Sequence, residues 1–100
     1  MSMPNQRTEK KKISFEVILP DKPAQKIICD DVRITVKDSK SGKGGGLYGI
    51  LPGHAPAVFL LDSGITEAFS DGKSIWKQKT GEGFARVENG TVTFVTEFVE

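Results

Sequence analysis

The chain has 100 residues, 37% of them apolar, and a formal net charge of +1. That length allows one domain with one core, and no run approaches the roughly 20 apolar residues of a membrane-spanning helix. The charge is uneven: residues 1–45 hold ten Lys/Arg and six Asp/Glu, whereas residues 46–100 hold four and seven. This balance is far from that of a dedicated nucleic-acid binder, and the lysines are not interleaved with aromatics on one strand face.

Residues 1–12 are polar and unpatterned and read as a disordered leader. No apolar segment follows their basic residues, so they do not resemble a signal peptide. Ile13, Phe15, Val17 and Leu19 alternate with Ser14 and Glu16, the pattern of a half-buried strand. Pro20 and Pro23 are expected to end it, with a second short strand at Gln25–Cys29. Val32, Ile34 and Val36 then alternate with Arg33, Thr35 and Lys37.

Asp38–Gly46 holds no residue able to contribute to a core and is expected to be a long exposed loop. Leu47–Leu51 reads as a short strand. Pro52-Gly53-His54-Ala55-Pro56 follows as a rigid turn, because proline fixes φ and glycine supplies positive φ. Val58-Phe59-Leu60-Leu61 is continuously apolar, as in a strand buried on both faces. After a further strand at Ile65–Phe69 come Asp71-Gly72 and Asn89-Gly90. Each pair sits between strand-like segments and predicts a two-residue hairpin turn. Thr80-Gly81-Glu82-Gly83 separates the last two hairpins, and the chain is expected to stop at a strand end, Phe98-Val99-Glu100. Short strands at such spacing predict an all-β fold, a small flattened sandwich of roughly 8–10 mostly antiparallel strands with essentially no helix.

Chemistry is sparse. His54 and Cys29 are the only histidine and cysteine, so neither a zinc site nor a catalytic triad is expected, and no cofactor is implied. Cys29 follows Ile27-Ile28 and reads as a buried thiol in a reducing compartment. Asp30 and Asp31 are adjacent and point to opposite faces, so they form no carboxylate dyad. Gly72-Lys73-Ser74 lacks the glycine a phosphate loop needs five residues earlier, where Glu67 stands. His54 either rigidifies its own turn or stands out as a contact residue.

Leu47-Tyr48-Gly49-Ile50-Leu51-Pro52-Gly53-His54-Ala55-Pro56 resembles the "LGI-x-PGHAP" signature of the epsilon subunit of F-type ATP synthases, with Tyr48 in place of its leucine. Gly81-Glu82-Gly83-Phe84-Ala85-Arg86-Val87 and Asn89-Gly90-Thr91-Val92-Thr93-Phe94-Val95 are similar to two further segments of that family. The likeness covers residues 13–98, the family's N-terminal β-sandwich. It implies a non-catalytic subunit of the central rotor of a proton- or sodium-translocating synthase. Such a subunit binds the gamma subunit and rests on the membrane c-ring, coupling rotation to ATP synthesis. It lies peripherally on the cytoplasmic side of a bacterial inner membrane and binds no nucleic acid.

Under this reading His54, Ala55, Pro56, Val58 and Leu60 are candidates for the gamma interface. Lys40, Lys43, Gly44, Gly45, Gly46 and Leu47 are candidates for contact with the c-ring or the membrane surface. Gly49, Pro52 and Gly53 are structural turn residues. The family's acidic Gly-x-Glu-Gly-Glu segment is replaced here by Lys43-Gly44-Gly45-Gly46-Leu47, in a longer and more basic loop. The sequence stops at Glu100, ahead of the family's C-terminal helical hairpin. The expectation is rotor assembly without that inhibitory latch and without a small-molecule ligand. The alternative is a stand-alone β-sandwich interaction module of another complex.

Overall fold

The computed structural model describes residues 11–37 and 46–100. Among these the chain forms strands β1 (Ile13–Leu19), β2 (Lys22–Cys29), β3 (Asp31–Val36), β4 (Gly46–Ile50), β5 (Ala57–Leu61), β6 (Gly64–Ser70), β7 (Lys73–Thr80), β8 (Gly83–Glu88) and β9 (Thr91–Thr96), and no helix. The two predicted hairpins are present. Asp71 and Gly72 have φ of 53° and 79°, Asn89 and Gly90 of 51° and 77°. Positive φ at both central residues matches the right-handed twist of the flanking strands. These turns set the registers Ser70 opposite Lys73 and Glu88 opposite Thr91.

Two expectations about strand limits are corrected. Lys22 and Pro23 belong to β2 rather than ending the previous element. The strand order β2-β1-β9-β8-β5-β3-β6-β7 puts β2 at an edge, where a proline needs no ladder partner. The register shifts between Val17 and Leu19, which accommodates it. At the other end, β9 stops at Thr96, and Val99 makes only an isolated bridge to Thr80.

Strand β3 organises the sheet. It pairs with β4 along one edge and with both β6 and β5 along the other. The sheet thereby folds into two layers, β4-β3-β6-β7 and β5-β8-β9-β1-β2. The β1–β9 pairing is parallel and every other strand pairing is antiparallel. Phe15 of β1 meets Trp76 of β7 edge-on at 5.5 Å, and Phe94 of β9 at 5.6 Å. The indole Nε1–H of Trp76 donates across the layers to Gln25 Oε1 at 3.3 Å. Ile13, Phe15 and Val17, then Val32 and Ile34, then Val92 and Phe94 are buried at alternate positions. Each contributes about 1.5–3 kcal/mol by leaving water.

Strand β5 differs from expectation. Its run is apolar throughout, yet only Leu61 is fully buried, while Val58 and Leu60 are 67% and 59% exposed. The reason is that the domain has two layers: β5 lies in one of them, so only one of its faces meets the core.

Thr96 closes the break between β7 and β8. Its buried Oγ1 accepts the Gly81 N–H and donates to the Gly81 carbonyl, both at 2.9 Å. Valine has the same shape but makes neither bond. Thr96→Val is expected to cost about 1–2 kcal/mol in urea denaturation, the Gly81 N–H keeping its second acceptor, the Phe98 carbonyl at 3.2 Å.

Candidate functional site

The turn after β4 is built as its residues dictate. The His54 N–H donates to the Leu51 carbonyl at 3.2 Å, and Gly53 has φ of 86°. With Pro52 ahead of a positive-φ glycine this is a type II turn. Gly49 lies inside β4, opposite Arg33, and the turn itself is made by Pro52 and Gly53.

His54 is held by this turn. Its Nδ1 lies 2.6 Å from the Ala55 carbonyl oxygen, which can only accept, so Nδ1 carries the proton. Nε2 then accepts the Tyr48 hydroxyl at 2.7 Å. The Tyr48 and Phe59 rings are 4.6 Å apart, and His54 and Phe59 6.0 Å. Both ring nitrogens are engaged within the turn's own neighbourhood, which makes His54 a rigidifying residue. Ala55 and Pro56 are exposed beside it.

Val58 and Leu60 alternate with Phe59, so they face away from the His54 cluster. The candidate gamma-contact residues therefore divide between two faces of β5, with Pro56 and Val58 together lining a shallow groove beside Arg86 and Glu88. On the outer face a cross-strand row forms. Leu60 of β5 pairs with Phe84 of β8, Phe84 with Val95 of β9, and Val95 with Ile18 of β1. Leu60 and Phe84 are 59% and 42% exposed. Neighbouring strands lie about 4.8 Å apart, so this apolar stripe is about 14 Å wide. The next row, Val58, Arg86, Thr93 and Glu16, borders it with charge, and Arg86 is paired to Glu88 at 2.6 Å.

Phe84, Val95 and Ile18 were not among the sequence candidates. The β8–β9 part was legible: the Asn89-Gly90 turn sets Phe84 opposite Val95, and Ala85 and Phe94 take the inner face. The junction to Ile18 rests on parallel β1–β9 pairing, for which no local signal exists. Gly46 and the 72% exposed Leu47 lie on β4. Lys40, Lys43, Gly44 and Gly45 lie outside the described residues. Lys12, assigned to the leader, is 3.7 Å from the Asp30 carboxylate.

Among the described residues no group of three or more His, Cys, Asp or Glu is placed to hold a metal ion. Cys29 is fully buried, with Sγ 3.9 Å from the Ile13 carbonyl oxygen. Burial pushes its thiol up to about 11, assisted by the neighbouring Asp30 and Asp31 carboxylates. A thiolate nucleophile at neutral pH is therefore disfavoured. The unfolded thiol ionises near 9, so between pH 9 and 11 the unfolded chain gives up its proton while the folded one keeps it. Stability is expected to fall with rising pH across that window. In Cys29→Ala this component of the pH dependence is expected to vanish, as measured by denaturation at successive pH values.

No family model matches the chain. Curated relatives do. It is 33% identical over 93 residues to the ATP synthase epsilon chain of Synechococcus elongatus, covering 88% of this chain and 58% of the relative. It is 35% identical over 88 residues to that of Lawsonia intracellularis, covering 88% and 60%. The chain thus spans less than two thirds of the length of these relatives. Among solved structures, its fold matches a chain of the Euglena gracilis mitochondrial ATP synthase with TM-score 0.66 and 24% identity, over 90% of this chain and 53% of that one. It also matches a chain of the Tetrahymena thermophila mitochondrial ATP synthase central stalk and c-ring, with TM-score 0.64 and 14% identity, over 92% and 68%. At these identities the two structures establish the fold, and the epsilon chains supply the sequence relationship. By sequence this chain is similar to the N-terminal part of the longer ATP synthase epsilon chains, and by fold to chains of two ATP synthase assemblies.

Proposed function

We propose that this chain is a non-catalytic central-stalk subunit that joins the gamma subunit to the c-ring of an F-type ATP synthase and carries torque between them. The observation that carries this reading is the Leu60–Phe84–Val95–Ile18 stripe, exposed at Leu60 and Phe84 and half-buried at Val95 and Ile18, on a sheet whose other face is closed by the core. A rigid two-layer sandwich with an apolar outer stripe suits permanent docking better than turnover. Stable interfaces bury about 1,600 Å² around a desolvated apolar centre. The sequence relationship supports the partner, and the solved assemblies that share the fold hold a c-ring.

The gamma subunit is assigned to the stripe and the adjoining Pro56–Val58 groove. The Tyr48–His54–Phe59 cluster keeps the turn beside that groove in one conformation. The c-ring side is assigned to Gly46 and Leu47 of β4 and to Lys40, Lys43, Gly44 and Gly45, which precede them in sequence. The lysines suit the ring's loops or the anionic lipid surface around them, an attraction that weakens with salt. The chain then sits peripherally on the cytoplasmic face of a bacterial inner membrane, held there through the complex.

The test is titration of the purified chain with the cognate gamma subunit, followed by calorimetry and size-exclusion chromatography. A stable one-to-one complex is expected. Absence of a complex at micromolar concentration would overturn the reading and leave a stand-alone interaction module.

A further inference from the structure

The apolar residues on the outer face of the β5-β8-β9-β1 layer form a path with two ends. Val58 and Leu60 begin it on β5, Phe84 and Val95 continue it, and Ile18 and the exposed Pro20 finish it at the end of β1. At about 4.8 Å per strand and 3.4 Å per residue, it runs diagonally for about 20 Å. Polar residues keep it narrow. Arg86, Thr93 and Glu16 stand one row to one side. Glu97 stands one row to the other side, about 13 Å along β9 from Thr93.

The backbone needs of an occupant decide its form. Strands β5, β8, β9 and β1 each pair on both sides, so this face offers no free backbone donors or acceptors. An extended segment desolvated on it would leave its own N–H and C=O groups unsatisfied. A second sheet would bury the charged rows along with the path. A helix satisfies its own backbone groups, and its diameter of about 10–12 Å fits between the rows.

The β1 end of the path has a second feature. The β1–β2 turn and the segment after β9 enclose a concavity of about 130 Å³. Half-buried Leu19, Phe98 and Val99 form its walls, and exposed Asp21, Lys22 and Glu97 form its rim. Among the described residues no ion pair engages Asp21 or Glu97. Apolar walls beneath two carboxylates suit a side chain with an aliphatic stem and a cationic head.

We propose that the segment of the gamma subunit seated on this path is an amphipathic α-helix of about 13 residues. It lies diagonally across β5, β8, β9 and β1, and a lysine or arginine at its β1 end reaches into the concavity between Asp21 and Glu97. Its apolar residues fall at i, i+3 or i+4, i+7 and i+11, the set that one face of a helix brings together. This docking mode rests on the central-stalk reading and gives that reading a defined occupant.

Photo-cross-linking of the complex with the cognate gamma subunit tests the geometry. A small diazirine-bearing aliphatic side chain replaces Leu60, Phe84 or Ile18, one position at a time, and the linked residue of the gamma subunit is mapped by mass spectrometry. All three adducts are expected within one segment. Those from positions 60 and 84 should lie about three or four residues apart, and those from positions 60 and 18 about seven to eleven apart. Adducts at two-residue spacing, or scattered over separate segments, would overturn the helix.

Calorimetric titration tests the cationic end. Glu97→Lys and Asp21→Lys are each expected to weaken the complex about tenfold at low salt, and less as salt is raised. Glu16→Lys, on the other side of the path, is expected to change affinity less than about threefold. Equal effects at Glu97 and Glu16 would overturn the placement of the cation. A parent chain that forms no complex removes the central-stalk reading and this docking mode together. A complex with the wrong cross-link pattern removes the docking mode alone.

Discussion

Gly83→Ala is expected to be among the most damaging single substitutions in this chain, lowering stability by about 3 kcal/mol or more. Gly83 opens β8 with φ of 158°. A Cβ there would run into the Val95 carbonyl oxygen, and would lie 2.9 Å from the Val95 carbonyl carbon and 3.0 Å from the Thr96 Cα. All three atoms are backbone of β9, so no side-chain rotation relieves the clash and the strand itself has to move. That strand holds the six-pair ladder with β8 and the parallel pairing with β1. It also carries Phe94 into the core and Thr96 onto Gly81. For a domain of this size each kcal/mol is worth about 4–8 °C in melting temperature, so a loss of about 12 °C or more is the expected readout. Two glycines calibrate it. Gly46 has no atom within 4 Å of a built Cβ, and Gly46→Ala is expected to change stability by no more than about 0.5 kcal/mol. Gly64 would meet the Thr35 side chain, with Oγ1 at 2.5 Å and Cβ at 3.0 Å. A side chain yields more readily than a strand, so Gly64→Ala falls between the other two. Equal melting temperatures for Gly83→Ala and Gly46→Ala would refute the close β8–β9 approach.

The contrast between Gly83 and the hairpin glycines also marks what the sequence makes legible. Asp71-Gly72 and Asn89-Gly90 announce themselves because a two-residue turn is a local object, with its dihedral demand and its residues together. The demand on Gly83 comes from β9, which becomes visible only once the strands are paired. Pro23 was misread for the same kind of reason. A proline rules out a central strand but not an edge, and edge position is a property of the whole sheet. The apolar run of β5 is ambiguous by its nature: Val58-Phe59-Leu60-Leu61 is what a strand buried on both faces looks like, and equally what a strand docked on a partner looks like. Of the candidate site, the rigidity of the Pro52–Gly53 turn was readable from residue types. The engagement of His54 by Tyr48 and Phe59 depends on how β4 and β5 approach each other in space.

On the proposed central-stalk role, Leu60→Asp and Phe84→Asp are each expected to weaken binding of the gamma subunit by about 100-fold or more while leaving the fold intact. A hundredfold corresponds to about 2.7 kcal/mol, within the range for truncating or charging a desolvated apolar centre. Both side chains project from the outer face, 59% and 42% exposed. A carboxylate there is solvated in the free chain, and its cost arises only on docking, when water is removed from it. Unfolding midpoints close to those of the parent chain are therefore part of the expected result. His54→Ala acts by another route. It removes the Tyr48 hydroxyl contact and the brace on the turn but no atom of the stripe, so a loss of about tenfold or less is expected. Ile75, 47% exposed on β7 of the other layer, supplies the control, and Ile75→Asp is expected to bind as the parent does. The ordering of the four variants in calorimetric titration carries the test. Strong losses at Leu60 and Phe84 with none at Ile75 place the partner on the β5-β8-β9-β1 layer. The reverse ordering would move the docking face to the β6-β7 layer and separate it from the turn that β4 and β5 hold.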